Sequence, residues 1–415
     1  MKVTRYFTAT IFVLLATIFY SNAAFAGDDA VTLARHGVDQ VLNLEMDNAR
    51  KTFNELERKY PGFALAPFLK ASVDWAEAEV SHGDKRNVMR DRAIQAMLTA
   101  ASTAEAHIEK LGDSDAAQQW HLTRGMANFF AARMYADSGH TLKAYHLGRS
   151  GRDELRELIE KHPDDNDAYL VLGMYEYIAG SIPRGLRWLA VLFDLSGDRA
   201  LGVQYLERAS AKAPVMAPEA ARMLLVAAGV LPETTRSCAY LPMAKYVRQK
   251  YPANPHYSMA LQLLYVNCGF PHKALDEMAV AEKQFLEDFP NLMDEFKVIR
   301  IYAYRELGQV DKILAMKKDF PRDQDYWNLI LAEAYDVVGE HNKAKNIYDD
   351  IFWADVRGRE IKSDSGPPSD WIIDRATRYR KHPYQPADPN ARIKGDYLYL
   401  DGQKQNSGAV ADSGK

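Results

Sequence analysis

The sequence predicts an all-α protein, an α-solenoid (superhelix) of antiparallel helix pairs, on two observations. From Asp28 onward the apolar residues recur at helical spacing, and strand-like alternation is hard to find. In addition, a small residue in one helix is followed twelve positions later by Ala in the next helix, and Pro follows twelve positions after that. A spacing that repeats along the chain in this way is typical of stacked helical hairpins.

The first and last copies fit this pattern best. The first copy, 28-61, has Gly37, Ala49, Phe53 and Pro61 at the expected intervals. Small residues let two helix backbones approach closely, the aromatic ring fills the space between hairpins, and proline ends the second helix. The last copy, 325-353, has residues of the same types at Ala332, Tyr335, Gly339, Ala344 and Tyr348.

The copies between them are less regular. Residues 62-112 predict two long helices, Phe63 to Val80 and Asn87 to Lys110, joined by a turn. Further hairpins are predicted at 114-163, 166-214, 217-252, 255-290 and 291-321. One more helix, 368-381, is predicted to cap the apolar end of the stack. Residues 384-415 are rich in Pro, Gly, Asp and Ser, which predicts a disordered tail.

The central hairpin, 166-214, contains an apolar insertion at 181-197. Gly202 and Pro214 keep the interval of twelve residues, whereas Gly173 and Gly202 are 29 apart. Pro183 is suited to the first turn of an inserted helix. The apolar face of this helix comprises Trp188, Leu192 and Phe193, which either pack on the solenoid and narrow its groove or contact a partner or a membrane.

These recurring residues resemble the tetratricopeptide repeat (TPR) superfamily, which stacks helix pairs of 34 residues into a superhelix. The resemblance covers roughly residues 30 to 353 and is weakest between 62 and 165. It implies that residues 27-383 form one TPR-like α-solenoid. It also implies that the first helix of each pair lines a concave groove.

A narrower resemblance lies in the central hairpin. The run from Tyr175 to Ala209 is similar to a segment of the eukaryotic inclusion-body-clearance family of repeat proteins. In that family an apolar helix precedes Gly-Asp-Arg and a Gly-x-x-x-Leu helix. The matching positions are Gly197, Asp198, Arg199, Gly202 and Leu206. Because this chain also begins with a signal-like segment, the similarity implies a shared structural device rather than a shared cellular role.

Residues 1-26 have the features of a secretory signal peptide. Lys2 and Arg5 precede an apolar run, and Ala24-Phe25-Ala26 provides the small residues of a cleavage site after Ala26. The run is shorter than the roughly 20 residues that span a bilayer. We therefore expect an exported, periplasmic protein with no transmembrane segment in the mature chain. The alternative is that the segment is retained as an anchor helix.

Composition bears on the class of partner. The formal net charge is only -4, and no block of like charges stands out among the 415 residues. Phosphate binding needs a strong positive field, so we expect no nucleic-acid partner. Cys238 and Cys268 are the two cysteines. They fall at neighbouring ends of consecutive antiparallel helices, which predicts a disulfide in an exported chain, with two separate buried thiols as the alternative.

The sequence shows no convincing catalytic constellation. Its 11 histidines form no H-E-x-x-H or other paired ligand spacing on one helix. Ser150 lies between glycines but lacks the G-x-S-x-G spacing and the preceding strand of a nucleophile elbow. We therefore expect no catalytic residue, no metal site and no cofactor.

The groove of first helices is the predicted binding site. Such grooves receive an extended peptide or a partner helix, and aromatic and Arg side chains provide most of the interface energy. An alternative for each residue is that it only supports neighbouring helices. The predicted groove residues are Leu170, Met174, Tyr177, His256, Met259, Val298, Tyr302, Arg305, Tyr326, Glu333 and Asp336.

The sequence thus favours a non-catalytic scaffold or adaptor that binds a protein or peptide of the cell envelope. Two other hypotheses stay open. A helical toroid could act as a hydrolase on an envelope glycan, which requires two facing carboxylates about 5 to 9.5 Å apart. Alternatively, the inserted helix could make peripheral contact with a membrane. The oligomeric state does not follow from the sequence.

Overall fold

The computed structural model describes residues 28–81, 83–182, 195–230, 237–319, 324–359, 361 and 369–385. Within these ranges there are 17 α-helices packed in neighbouring pairs, and there is no strand. This confirms the all-α class. The described residues contain no helix long and apolar enough to cross a membrane.

The chain divides into two compact units. The first comprises Met1–Glu176 and Ala200–Ala221, and the second comprises Tyr177–Arg199 and Arg222–Lys415, as far as these ranges are described. Helices α7 and α9 each begin in the first unit and end in the second. The helices from the start of the chain to this region are α1 (28–42), α2 (Met46–Lys59), α3 (Ala66–Val80), α4 (Gly83–Leu111), α5 (Gln118–Asp137), α6 (Thr141–Lys161), α7 (Ala168–Gly180), α8 (Arg199–Lys212) and α9 (Ala217–Val230).

The second unit continues the alternation of first and second helices. The first helices α11, α13 and α15 are neighbours in turn, since α13 packs against both of the others. Helix α17 packs against α15 and α16. The helices of this unit are α10 (Leu241–Lys250), α11 (Pro255–Asn267), α12 (Pro271–Phe285), α13 (Met293–Glu306), α14 (Val310–Ala315), α15 (Asp325–Val337), α16 (His341–Val356) and α17 (Ser369–Tyr379).

Glycines at the repeat positions bring paired helices into close contact. A Cβ atom on Gly173 of α7 would lie 3.0 Å from the carbonyl oxygen of Gly202 and 2.8 Å from Leu206 Cγ of α8. In the first pair, the ring of Phe53 fills the space that a side chain on Gly37 would occupy. Both contacts explain why the sequence pattern alternates small and large residues at these positions.

The helix ends follow from local chemistry. Gly139 and Gly339 have φ angles of 79° and 80°, which favour glycine and let the chain reverse between the helices of a pair. At the start of α11, the Asn254 side chain accepts a hydrogen bond of 3.0 Å from the backbone N–H of His256. Pro255 occupies the first turn, where its missing N–H costs nothing.

The predicted disulfide is confirmed. Cys238 and Cys268 are bonded, with their Cα atoms 5.6 Å apart. Cys268 directly follows the last residue of α11, and Cys238 lies just before α10. The antiparallel arrangement of consecutive helices therefore places the two cysteines side by side.

Three predictions fall on residues that the structure does not describe. They are the signal peptide 1-26, the tail beyond Gln385, and the packing of Trp188, Leu192 and Phe193. The ends of the insertion are described, however. The Arg199 Nε atom donates a hydrogen bond of 3.1 Å to the carbonyl oxygen of Gly180. The chain therefore leaves α7 and enters α8 at neighbouring points, as an insertion between two paired helices requires.

Candidate functional site

The structure places the predicted groove residues on four first helices. Val298, Tyr302 and Arg305 lie on α13, and Tyr326, Glu333 and Asp336 lie on α15. Of these six residues, Arg305, Tyr326 and Glu333 interact at one site in the second unit. His256 and Met259 lie on α11, and Leu170, Met174 and Tyr177 lie on α7. Tyr177, His256, Met259 and Tyr302 are half-buried, whereas the other seven are buried.

The centre of this site is a buried carboxylate between two arginines. Glu333 of α15 is only 2% exposed. Its Oε2 atom lies 2.7 Å from Arg305 Nε of α13, and its Oε1 atom lies 2.9 Å from Arg375 Nη2 of α17. A second carboxylate, Glu306, lies 3.6 Å from Arg305 Nη1. One carboxylate thus joins three helices.

The opposite charges of Glu333 and of Arg305 and Arg375 stabilise one another. Burial alone would lower the pKa of Arg305, but the neighbouring groups, Glu333 first among them, together outweigh it, so that the pKa is raised well above its ordinary value. Burial also acts to lower the pKa of Arg375, but its neighbours, Glu333 first among them, raise it above its ordinary value. For the adjacent Tyr326, burial raises the pKa of the phenol. Both guanidiniums therefore stay charged, and this phenol stays neutral, at any physiological pH.

Asp336, one turn further along α15, is a buried acceptor. Its side chain has no exposed surface. The Oδ1 atom lies 2.7 Å from His341 Nδ1, and the Oδ2 atom accepts a hydrogen bond of 3.0 Å from the Tyr348 hydroxyl. Oδ2 also accepts a hydrogen bond of 2.7 Å from the backbone N–H of Tyr384. Three partners therefore fix the orientation of this carboxylate.

The C-terminal segment completes the site. Trp371 of α17 packs edge to face on Tyr326, with the ring centroids 6.2 Å apart. The Tyr384 ring lies 5.7 Å from the Arg305 guanidinium and 5.6 Å from that of Arg375. We call the surroundings of this ring the Tyr384 site, which is formed by Arg305, Asp336, Arg375 and Tyr379.

The sequence reasoning missed Arg375 and Tyr384. Both lie beyond the last repeat, so the repeat register could not assign them to a surface. Arg375 was detectable in part, because Trp371, Arg375 and Tyr379 are spaced four apart and share one face of the predicted cap. For Tyr384 the signal was a single aromatic residue between Pro383 and Pro386 in a polar tail.

The predicted groove residues on α11 lie beside a separate polar network. Ser258 donates a hydrogen bond of 2.7 Å to Glu277, and Gln262 donates one of 3.0 Å to Ser258. Arg248 of α10 lies 2.8 Å from the same Glu277 carboxylate. This network holds α11 against its neighbouring second helices, and His256 and Met259 remain partly accessible beside it.

The first unit contains further cavities, and two of them are lined by acidic side chains. One, of about 640 Å³, is lined by inter-helix loops that include Asp165 and Asp167. The other, of about 350 Å³, is lined by polar residues of α5 and α6. Its Glu154 carboxylate accepts hydrogen bonds from Arg124 Nε at 2.7 and 2.8 Å and lies 2.8 Å from His121 Nδ1. The acid in this second cavity is thus engaged in an ion pair.

Among the described residues, no group of three or more His, Cys, Asp or Glu side chains is arranged to hold a metal ion. No protein-family model matches the sequence, and no curated protein matches it either.

Proposed function

We propose that this protein is a non-catalytic scaffold or adaptor that binds a protein or peptide of the cell envelope on its first helices. The observation that carries the proposal is the shared face of α13 and α15, which already holds a segment of polypeptide. That segment is bound by aromatic contacts, by an ion pair and by a backbone hydrogen bond to Asp336. Aromatic and Arg side chains supply much of the energy of protein interfaces, and main-chain hydrogen bonds contribute to peptide recognition.

In this proposal the chain is a TPR-like α-solenoid, and α11 extends the same face. Its His256 and Met259 are half-buried and so keep part of their surface accessible. Arg305 and Glu333 then act chiefly as the support of the groove, because their charges are buried against each other. Glu333 and Asp336 are both engaged with other side chains, which favours binding over the glycan hydrolysis that free, facing carboxylates would support.

Export to the periplasm is part of the same proposal. The N-terminal segment has the order of charge, apolar core and small residues of a signal peptide. The disulfide between Cys238 and Cys268 is of the kind that persists in an oxidising compartment. The proposed partner is therefore an envelope protein.

A pull-down from envelope extract tests the proposal. The variant Met259→Lys places a charge on the first-helix face, while the methylene groups of lysine can keep part of the methionine's packing. Val280→Lys, on the exposed side of the second helix α12, is the matched control. We expect the unaltered protein and the control to recover the same envelope protein, and Met259→Lys to recover at least tenfold less. Recovery of nothing above background, or equal recovery by all three, would contradict the proposal.

A further inference from the structure

Tyr384 is buried although the chain around it is not. Only 7% of the residue is exposed, whereas its neighbours His382, Pro383 and Gln385 are all exposed. Residues 383–385 belong to no helix. The segment therefore crosses the surface in an irregular conformation and inserts one side chain.

The pocket that receives this side chain is suited to an aromatic ring. Two guanidiniums, those of Arg305 and Arg375, lie within 6 Å of the ring centroid, at 5.7 and 5.6 Å. The ring of Tyr379 packs against it edge to face at 5.2 Å. Guanidinium groups are attracted to the negative face of an aromatic ring, and this attraction strengthens when water is excluded. An aliphatic side chain would gain none of these contacts.

The backbone of the inserted residue is recognised as well. The Tyr384 N–H donates a hydrogen bond of 2.7 Å to Asp336 Oδ2. That carboxylate is already oriented by His341 and Tyr348, so it is in place before any peptide arrives. A charged acceptor makes such a hydrogen bond roughly twice as strong as one between neutral groups. The pocket thus binds both an aromatic side chain and the backbone N–H of the same residue.

We propose that the Tyr384 site is a receptor for an aromatic residue in an extended segment of the partner protein, and that Tyr384 occupies it as an internal, displaceable ligand. This inference rests on the proposed function. It adds the chemistry of the partner, which is a Tyr-like residue flanked by residues that keep the chain extended. Pro383 and Pro386 have that effect here, since the residue before a proline is held away from the helical conformation.

Displacement is expected to involve Tyr384 rather than α17. Helix α17 buries Ile372 and Ala376 completely in the core of the second unit. Its removal would expose that core to water. Tyr384 belongs to the same core, but withdrawal of the segment that follows α17 removes this one buried residue from it and breaks one described backbone hydrogen bond. A competing peptide that supplies the same ring and the same N–H replaces both.

Binding of a synthetic peptide to the full chain tests this inference. The probe is a fluorescein-labelled peptide with the sequence of residues 381–386, and the variant Tyr384→Ala vacates the site. The tethered tyrosine competes at an effective concentration on the order of millimolar. We therefore expect the labelled peptide to bind Tyr384→Ala at least tenfold more tightly than the unaltered protein. Tyr246→Ala, which changes an exposed tyrosine of α10, is the matched control and should bind like the unaltered protein.

A second measurement keeps the test independent of the folding of Tyr384→Ala. The same peptide with benzoylphenylalanine in place of tyrosine is added in excess to the unaltered protein and irradiated. We expect crosslinks on α13, α15 or α17. An excess of the peptide that keeps tyrosine and carries no photoreactive group should suppress these crosslinks. A peptide with Ala in place of Tyr should not suppress them. Crosslinks scattered over other helices, or a well-folded Tyr384→Ala protein that does not bind the peptide, would overturn the inference.

Two outcomes separate this inference from related ideas. If the peptide fails while Met259→Lys still abolishes capture of an envelope protein, the aromatic site is wrong and the proposed function survives. If the unaltered protein forms a dimer that Tyr384→Ala abolishes, the occupant is a second copy of this chain, and the assignment to a partner protein is overturned.

Discussion

At the scale of single residues, Glu333 is the buried carboxylate that links α13, α15 and α17. It is the carboxylate that neutralises two buried or nearly buried guanidiniums, those of Arg305 and Arg375. Removing one member of such a cluster leaves an uncompensated charge in a region of low dielectric. This destabilises a protein more than replacing the whole pair by apolar residues does. The stability of this unit should therefore depend strongly on this one side chain.

We predict that Glu333→Gln lowers the free energy of unfolding by about 3 to 5 kcal/mol, because two guanidiniums lose their counter-ion. Glu340→Gln, at an exposed turn residue of the same hairpin, is the control and should change it by less than about 0.5 kcal/mol. Urea unfolding followed by circular dichroism measures both. Equal stability of the two variants would show that the buried ion pair is not a major determinant of stability.

Asp167 in the first unit provides a test by pH. It is 2% exposed, and its Oδ1 atom accepts hydrogen bonds from the backbone N–H groups of Val215 and Met216 at 3.2 and 2.8 Å. Burial raises the pKa of this carboxyl to about 6, against the direction in which the two hydrogen bonds act. The folded protein therefore binds the proton more tightly than the unfolded chain does. The resulting stabilisation is present below the unfolded pKa, ordinarily 3.8, and is lost as the pH rises through about 6.

We predict that Asp167→Asn removes this pH dependence while keeping an acceptor for the two N–H groups. The unfolding free energy of the variant, relative to the unaltered protein, should rise by on the order of 2 to 3 kcal/mol between pH 4 and pH 7. Asp164→Asn, which changes a fully exposed carboxylate nearby, is the control and should follow the unaltered protein. If Asp167→Asn and Asp164→Asn had the same pH profile, Asp167 would have an ordinary pKa.

Residue-level prediction from the sequence succeeded in one respect and failed in another. Repeat register grouped Arg305, Tyr326 and Glu333 because their helical positions correspond, and the structure brings them together. It could not indicate that Arg305 and Glu333 neutralise each other, because register predicts the face of a helix on which a residue lies and not what packs over that face. Arg375 and Tyr384 pack there, and both lie outside the repeats, where no register can be assigned.

At the scale of helices, the positions of small residues determine how closely a pair can pack. Gly173 and Gly202 are 29 residues apart in sequence, and a Cβ atom on Gly173 would be 3.0 Å from the Gly202 carbonyl oxygen. The sequence pattern predicted this pairing across the insertion. It could do so because the two glycines keep their repeat roles whatever is placed between the helices.

We predict that Gly173→Ala destabilises the protein by about 1 to 3 kcal/mol, since the new methyl group forces α7 away from Leu206 and the α8 backbone. Gly148→Ala is the matched control. There the new Cβ would meet only Ala132 Cβ, at 3.5 Å, and alanine stabilises a helix by about 0.5 to 1 kcal/mol relative to glycine. Thermal unfolding of the two variants should therefore shift in opposite directions. A stabilised Gly173→Ala protein would rule out the close approach.

Helix prediction succeeded because apolar periodicity and proline stops are local signals. The bounds of α3, Ala66–Val80, lie within the predicted range that begins at Phe63. The start of α4 at Gly83 was missed by four residues, because SHGDKR has the composition of a turn although most of it continues the helix. The composition of this segment favours a turn, whereas packing along α4 favours a longer helix. The start of α4 shows that packing decides here.

At the scale of the whole molecule, the sequence suggested one continuous stack, whereas the structure has two compact units whose division runs through α7 and α9. The boundary coincides with the one hairpin that carries a long insertion. The repeat residues Gly173, Gly202 and Pro214 all belong to the first unit, so their spacing gives no sign that the chain between them, Tyr177–Arg199, belongs to the second. The neighbouring helices α11, α13 and α15 all lie in the second unit.

The most direct test of the central claim is site-specific photocrosslinking in the native host. Benzoylphenylalanine is placed at Met259 on the first helix α11 or at Val280 on the second helix α12, and crosslinked products are identified by mass spectrometry. We predict that Met259 crosslinks to one envelope protein and that Val280 does not. Crosslinking of that protein from Val280 alone would place the partner on the second helices and contradict the claim.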